Sequence, residues 1–274
     1  MINNKSDFAL VTGASQGLGK EIAKQLASEG YNLLLTALPD DGLPQLAKSL
    51  ETSYFNQVEY LEADLAKLGQ VEIVANWANT FPLKVLVNNA GIGGSMPYHH
   101  ATPDYINAII QLNVTAPALL IKLLLANLQV QRQAYVLNVS SMAAFSPMAF
   151  KTVYPASKAF LWSFSRGLHQ ELKSSGIFVG VIHPGPIKTN SDVCRRIEQQ
   201  KLLGRLGQVS PEKLAQIAIR QLFSMNSLLI PGIMNNINWF IIKFTPTWFR
   251  LRLLSKVTQR EINDSTSFGL SQNI

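Results

Sequence analysis

Tyr154 and Lys158 stand four residues apart, so on a helix they share one face and set an ammonium beside a phenol. A free phenol titrates near pH 10, and a neighbouring positive charge favours the phenolate, so the pair is expected to exchange a proton near neutral pH. Pairs of this spacing are frequent on exposed helices, and what gives this one meaning is its company. Ser141 lies thirteen residues upstream, at the end of the apolar run Ala134–Val139, where a hydroxyl could hold a substrate oxygen. Ser140 competes for that part, because successive strand residues point to opposite faces and only one of the two can serve.

The second constellation is Thr12-Gly13-Ala14-Ser15-Gln16-Gly17-Leu18-Gly19, between a short apolar run and an amphipathic stretch. A tight strand-to-helix turn needs glycines so that the backbone can approach a pyrophosphate, whose charge then meets the amides and dipole at the helix start. The spacing is G-x3-G-x-G, unlike the G-x-G-x-x-G of the long-range Rossmann dehydrogenases.

That spacing, Asn88-Asn89-Ala90-Gly91, Ser141 with Tyr154-x3-Lys158, and Pro184-Gly185 followed by Thr189 occur in the order found in the short-chain dehydrogenase/reductase family, which the chain resembles over roughly residues 6–232. The resemblance implies an NAD(P)(H)-dependent oxidoreductase interconverting a ketone or aldehyde and an alcohol. Tyr154 would be the general acid or base and Ser141 the substrate hydrogen-bond partner. Lys158 would lower the phenol pKa and hold the nicotinamide ribose, and Asn113 would anchor a water that relays protons to Lys158. A hydrogen-bonded core amide is the competing reading of Asn113. The dinucleotide would lie along Gly13, Ser15, Gln16, Gly17, Leu18 and Gly19, then Asn89, Ala90 and Gly91, with Pro184, Gly185, Ile187 and Thr189 on the nicotinamide side. Asp64, beside Leu65, would accept from the adenine amine, although an aspartate after a strand is usually a cap. An even-numbered homo-oligomer, dimer or tetramer, is also implied.

Leu35-Thr36-Ala37-Leu38-Pro39 closes the second strand, where an acidic residue reads the NAD ribose and an arginine the NADP phosphate. Neither is present. With Asp40 and Asp41 expected to point into solvent and Ser15 and Thr36 available as donors, the sequence leans weakly to NADP(H) over NAD(H).

The elements that must position these residues are short apolar runs alternating with helical stretches. The runs are Phe8–Thr12, Tyr31–Thr36, Val58–Leu61, Lys84–Asn88, Ala134–Val139, Ile177–His183 and Leu228–Ile230. The pattern predicts an α/β protein: one doubly wound, Rossmann-like domain over residues 1–237, with a seven-stranded parallel sheet and helices on both faces. Helices are expected over Gly17–Glu29, Leu43–Ser53, Val71–Thr80, Pro103–Leu128 and Tyr154–Lys173. Thr102-Pro103-Asp104 and Ser210-Pro211-Glu212 read as capped helix starts. Pro186–Gly207 is the expected substrate-side loop. Phe145, Met148, Phe150, Ile187 and Leu202 are the candidate lining of an apolar pocket.

The 274 residues, 47% apolar and 15% charged, exclude a disordered or disulfide-stapled chain, and Cys194 is the only cysteine. The net charge of +7 belongs entirely to residues 186–274, with twelve basic and five acidic groups, whereas residues 1–185 balance. No nucleic-acid-binding signature accompanies that excess, so no nucleic-acid partner is expected. No unbroken apolar run reaches membrane-spanning length, and MINNKSD leads straight into Phe8–Thr12 without a leader, so a cytoplasmic location is expected.

Residues 238–274 form a basic, aromatic extension. Within 238–260, aromatic and aliphatic residues alternate with Lys243, Arg250, Arg252, Lys256 and Arg260 and no acid, which allows peripheral membrane contact. A lid or subunit interface is the stronger expectation, with Pro246 breaking the segment into short helices. His99 and His100 lack a third ligand at metal spacing, so no metal is expected. The competing function is a non-catalytic dinucleotide-binding regulatory or scaffold protein on the same fold.

Overall fold

The structure is a computed structural model that describes residues 7–186 and 209–270. Seven parallel strands, β1 (Phe8–Thr12), β2 (Asn32–Ala37), β3 (Val58–Glu62), β4 (Leu83–Asn88), β5 (Ala134–Val139), β6 (Ile177–Ile182) and β7 (Leu228–Leu229), lie in the order β3-β2-β1-β4-β5-β6-β7. All seven expected strands are present. The order reverses between β1 and β4, and the crevice at the carboxyl ends of strands at such a reversal is where doubly wound sheets bind ligands.

Period-two alternation splits β1 between two cores. Ala9 and Val11 pack with α1 (Gly17–Ser28), α2 (Leu43–Tyr54) and α7 (Pro211–Phe223), while Phe8 and Leu10 face α3 (Leu68–Ala78) and α5 (Ala116–Gln129) on the other side. Both faces are therefore dry, which explains strands that read as continuous apolar runs. Thr102 and Ser210 cap α4 (Pro103–Ile110) and α7 by accepting from Tyr105 N and Lys213 N.

The long helix expected over Pro103–Leu128 is interrupted. Between α4 and α5, Gln111–Thr115 forms a π-helical turn, a local widening common at functional sites. By length and composition alone, the combined helix Pro103–Gln129 is apolar enough to cross a membrane. Here it covers the sheet, with Leu120, Ile121, Leu124 and Leu128 in the core beside β4 and β5.

α6 (Val153–Glu171) packs along β6. The extension folds as α8 (Ile233–Phe244) and α9 (Thr247–Leu270) on either side of Pro246. Its second helix is long rather than short. Ile187, Thr189 and Leu202, with most of the Pro186–Gly207 loop, lie outside the described residues.

Candidate active site

The glycine turn is closed by contacts that leave no room for side chains. Gly13 and Gly17 have φ of +62° and +56°, in the region L-residues disfavour. A Cβ on Gly13 would lie 2.9 Å from Ala90 Cα, and one on Gly19 would collide with the Gly13 carbonyl and the Asn89 amide. Asn89 Nδ2 donates to Thr12 O at 2.9 Å and Gly13 O at 3.0 Å. Thr12 Oγ1 accepts from the amides of Asn89 and Ala90, both at 3.0 Å, and donates to Val87 O at 3.3 Å. Thr12 therefore ties the turn to the end of β4, a role the sequence did not assign it; its one signal was a hydroxyl closing a buried strand.

α1 starts without a side-chain cap on Gln16 and without an acid in its first turn, while Leu18 anchors it in the core. Its first amides are thus left to an outside acceptor, and together with the tight approach at Gly13 and Gly19 they fit a pyrophosphate.

Asp41 does not point into solvent. Ser15 Oγ donates to its Oδ2 at 2.6 Å and Gln16 Nε2 reaches the same oxygen at 3.4 Å. Left-handed backbone at Asp40 and Gly42, φ +61° and +75°, folds the loop back over the turn. Ser15 is consequently an engaged donor, whereas the Thr36 hydroxyl is buried and has no hydrogen-bond partner. Leu38 is exposed. Asp64 accepts from Ala66 N at 3.0 Å, as a cap would, and its other oxygen has only Lys67 at 3.7 Å; Leu65 is buried beside it.

α6 brings Tyr154 and Lys158 to the ends of β4 and β5. Lys158 Nζ is buried, donates to Val139 O at 3.0 Å and lies 5.9 Å from the centre of the Tyr154 ring. The Ser141 side chain hydrogen-bonds the phenol and accepts from Ala143 N at 3.1 Å, capping the 3₁₀ turn Met142–Phe145. Ser140 faces away and donates to Lys158 O at 2.8 Å, so of the two serines only Ser141 meets the phenol. Gly93 closes the other side: a Cβ there would sit 2.5 Å from the Tyr154 ring.

The acid–base balance differs from the expectation drawn from spacing. Burial pushes the Tyr154 phenol above its ordinary value and outweighs the Ser141 hydrogen bond that favours the phenolate. The same desolvation lowers Lys158 to about 8, which weakens the ammonium meant to tune the phenol. The pair is built to rest with its phenol protonated.

Asn113 sits fully buried in the π turn. Its Nδ2 donates to Ile92 O at 2.8 Å and Ser157 Oγ at 3.0 Å, and its Oδ1 accepts from Ile92 N at 3.0 Å. The side chain is thus a tie between α6 and the loop after β4. A Cβ on Gly91 would lie 3.1 Å from both Asn113 Oδ1 and Lys158 Nζ. Pro184 O accepts from Met142 N at 2.9 Å, and Gly185 packs against the Asn235 amide.

A crevice of about 20 Å³ opens beside Tyr154 between Met96, Tyr98, Tyr105, Ile109 and Phe150. A larger open hollow of about 320 Å³ lies on the outer face of α6 and touches none of these residues. His99 and His100 stack in a 3₁₀ turn, and no cluster of three metal-ligating residues occurs among the described residues.

His183, at the end of β6, escaped the sequence reading because its burial is set by partners distant in the chain. It is fully buried, its Nδ1 is 3.1 Å from Ser141 O, and its ring packs on Phe145 at 4.5 Å. Desolvation lowers its pKa to about 4. The native state therefore refuses a proton that the unfolded chain takes up near 6.5. Stability from this group is complete above pH 6.5 and lost as pH falls towards 4, up to about 3 kcal/mol. Chemical denaturation of the protein and His183→Asn between pH 7 and 4 should show the steeper acid loss in the unsubstituted chain.

The family model for short chain dehydrogenase matches residues 7–200. The chain is 31% identical to a very-long-chain 3-oxoacyl-CoA reductase of Danio rerio over 69% of its length and 60% of the relative's. It is 26% identical to a Homo sapiens protein of the same name over 92% of its length and 80% of the relative's. It thus spans about three-fifths of the length of several curated relatives it matches. Among solved structures, a short-chain dehydrogenase from Sphingobium yanoikuyae in complex with NADPH superposes with a TM-score of 0.76 at 27% identity, covering 86% of this chain and 92% of that one. With those matches laid over a turn, a tyrosine and a lysine placed as described, the protein belongs to the short-chain dehydrogenase/reductase family.

Proposed function

We propose that the protein is an NAD(P)(H)-dependent oxidoreductase that interconverts an apolar ketone or aldehyde and the corresponding alcohol. The observation that carries this is the Tyr154 phenol, hydrogen-bonded by Ser141 and closed in by Gly93 at the carboxyl edge of the sheet. A dinucleotide held by the Gly13–Gly19 turn, Asn89, Ala90 and Gly91 supplies the hydride when bound. The chain's own work is to orient and to move a proton. Ser141 holds the substrate oxygen, and Tyr154 Oη gives it a proton in reduction or takes one in oxidation. Lys158, on Val139 O, holds the ribose side and stabilises the phenolate left after reduction. A phenol held above its ordinary pKa favours reduction at neutral pH, whereas alcohol oxidation should accelerate as pH rises.

The relatives' names speak of very-long-chain 3-oxoacyl-CoA and hydroxysteroids, which supports an apolar substrate. Loss of nicotinamide absorbance with a panel of long-chain and polycyclic ketones tests the reading. Tight dinucleotide binding without turnover of any of them would sink it.

NADP(H) is the cofactor we favour, supported by the NADPH bound in the 27% identical solved relative. Asp41 narrows that preference, because a carboxylate on Ser15 repels a 2′-phosphate. Asp41→Asn should raise kcat/KM for NADPH relative to NADH roughly tenfold, the equivalent of about 1.4 kcal/mol; an unchanged ratio would remove Asp41 from the ribose site. A cytoplasmic location and an even-numbered homo-oligomer complete the proposal.

A further inference from the structure

α8 is amphipathic the wrong way round. Its inward positions include the buried Asn235, which donates to Pro231 O at 2.6 Å and packs on Gly185. Its outward stripe at helical spacing is Ile233, Ile237, Phe240, Ile241 and Phe244, with Ile233 83% and Phe244 69% exposed. α9 carries exposed apolar side chains of its own. Phe249, Leu253 and Val257 form one exposed apolar row, and Trp248 (63% exposed) heads a neighbouring row with Arg252, Lys256 and Arg260. An exposed apolar area of this extent on a folded chain marks an interaction surface.

Charge selects the occupant. Residues 213–260 contain no Asp or Glu, and cations lie over the tryptophan rings, Arg252 5.7 Å from the exposed Trp248 ring and Lys243 5.6 Å from the half-buried Trp239 ring. A second copy of the same face would set like charges together, whereas Trp and Phe bordered by Lys and Arg match the boundary between anionic headgroups and acyl chains. We propose that the outward faces of α8 and α9 dock the protein on an anionic lipid bilayer.

The inner faces of these helices wall the catalytic loop. Trp239 packs on Phe145 at 6.3 Å, Arg250 Nη1 donates to Phe145 O at 2.7 Å, and Ser255 Oγ accepts from Ala149 N at 3.3 Å. Docking therefore brings the loop after Ser141 to the bilayer, which suits an apolar carbonyl drawn from it. Only this last step rests on the function proposed above.

The test is flotation of the full chain with vesicles of phosphatidylcholine containing phosphatidylglycerol, and with phosphatidylcholine alone. The protein should float with the first, bind the second at least tenfold less, and release from the first at high salt. Phe240→Ser with Phe244→Ser, and separately Arg252→Glu with Lys256→Glu, should each lower the anionic partition roughly tenfold or more. Both variants should keep dinucleotide binding and turnover of a water-soluble ketone without vesicles, which shows that they are folded. Absence of flotation with anionic vesicles, or a dimer in size-exclusion chromatography that Phe240→Ser with Phe244→Ser splits while no vesicle is bound, overturns the proposal. A chain that floats but turns over no ketone overturns the enzymatic reading alone.

Discussion

Tyr154→Phe should bind dinucleotide with unchanged affinity and unfold at the same denaturant concentration, yet lose roughly 10²–10⁴-fold or more in kcat for carbonyl reduction. The substitution removes one oxygen. The ring that fills the space beside Gly93 stays, so packing is preserved. What disappears is the hydroxyl that meets Ser141 and that burial holds protonated for delivery. Single-turnover measurements with pre-bound NADPH separate the chemical step from binding. A variant that keeps more than about a tenth of kcat would show that another donor, or water, protonates the product.

Lys158→Met should trade activity for stability. The lysine is 4% exposed and its folded pKa, about 8, lies below the ordinary 10.5, so folding opposes its charge. A native pKa below the unfolded one means that the penalty is absent above pH 10.5, grows as pH falls and is complete below about 8. At pH 7 the gap corresponds to about 3 kcal/mol, and loss of the hydrogen bond to Val139 O returns about 1 kcal/mol of it. Methionine, of similar length and uncharged, should therefore stabilise the fold by about 2 kcal/mol at pH 7 and destabilise it, by up to about 1 kcal/mol, at pH 10.5. Turnover should fall at least roughly a hundredfold, because ribose positioning and support of the phenolate go together. Denaturation at the two pH values and steady-state kinetics check both halves. A variant that is less stable at pH 7 would mean that the amine is anchored more strongly than its single carbonyl contact suggests.

Much of the architecture was legible because both faces of the central sheet are dry, so strands such as β1, β5 and β6 announce themselves as apolar runs, while the edge strand β3, Val-Glu-Tyr-Leu-Glu, is half-exposed. The four motifs placed the turn, Ser141 and the Tyr154–Lys158 pair in order, since each depends on local spacing. What spacing could not convey was solvent. It put the ammonium near the phenol but not the desolvation that lowers Lys158 and raises Tyr154. Asp41 was misjudged for a backbone reason: left-handed conformations at Asp40 and Gly42 turn the carboxylate onto Ser15, and Asp-Asp-Gly following a proline does not reveal that in advance. His183 and Thr12 matter through partners dozens of residues away. In α8 the apolar stripe was readable, but not that it would face outward.

The widened turn at Gln111–Thr115 has an unusual implication for how this chain tolerates deletion. Removing one residue there would let an ordinary spiral run from Pro103 to Gln129, heal every irregular backbone hydrogen bond and give a straighter rod. The flanks would keep their phase, because the wide turn already absorbs one residue, and only the residues within it, Asn113 among them, would be re-aimed. The amide that clasps Ile92 and Ser157 would then miss them, and a chain improved by every local standard would have loosened the floor beneath its own reacting phenol.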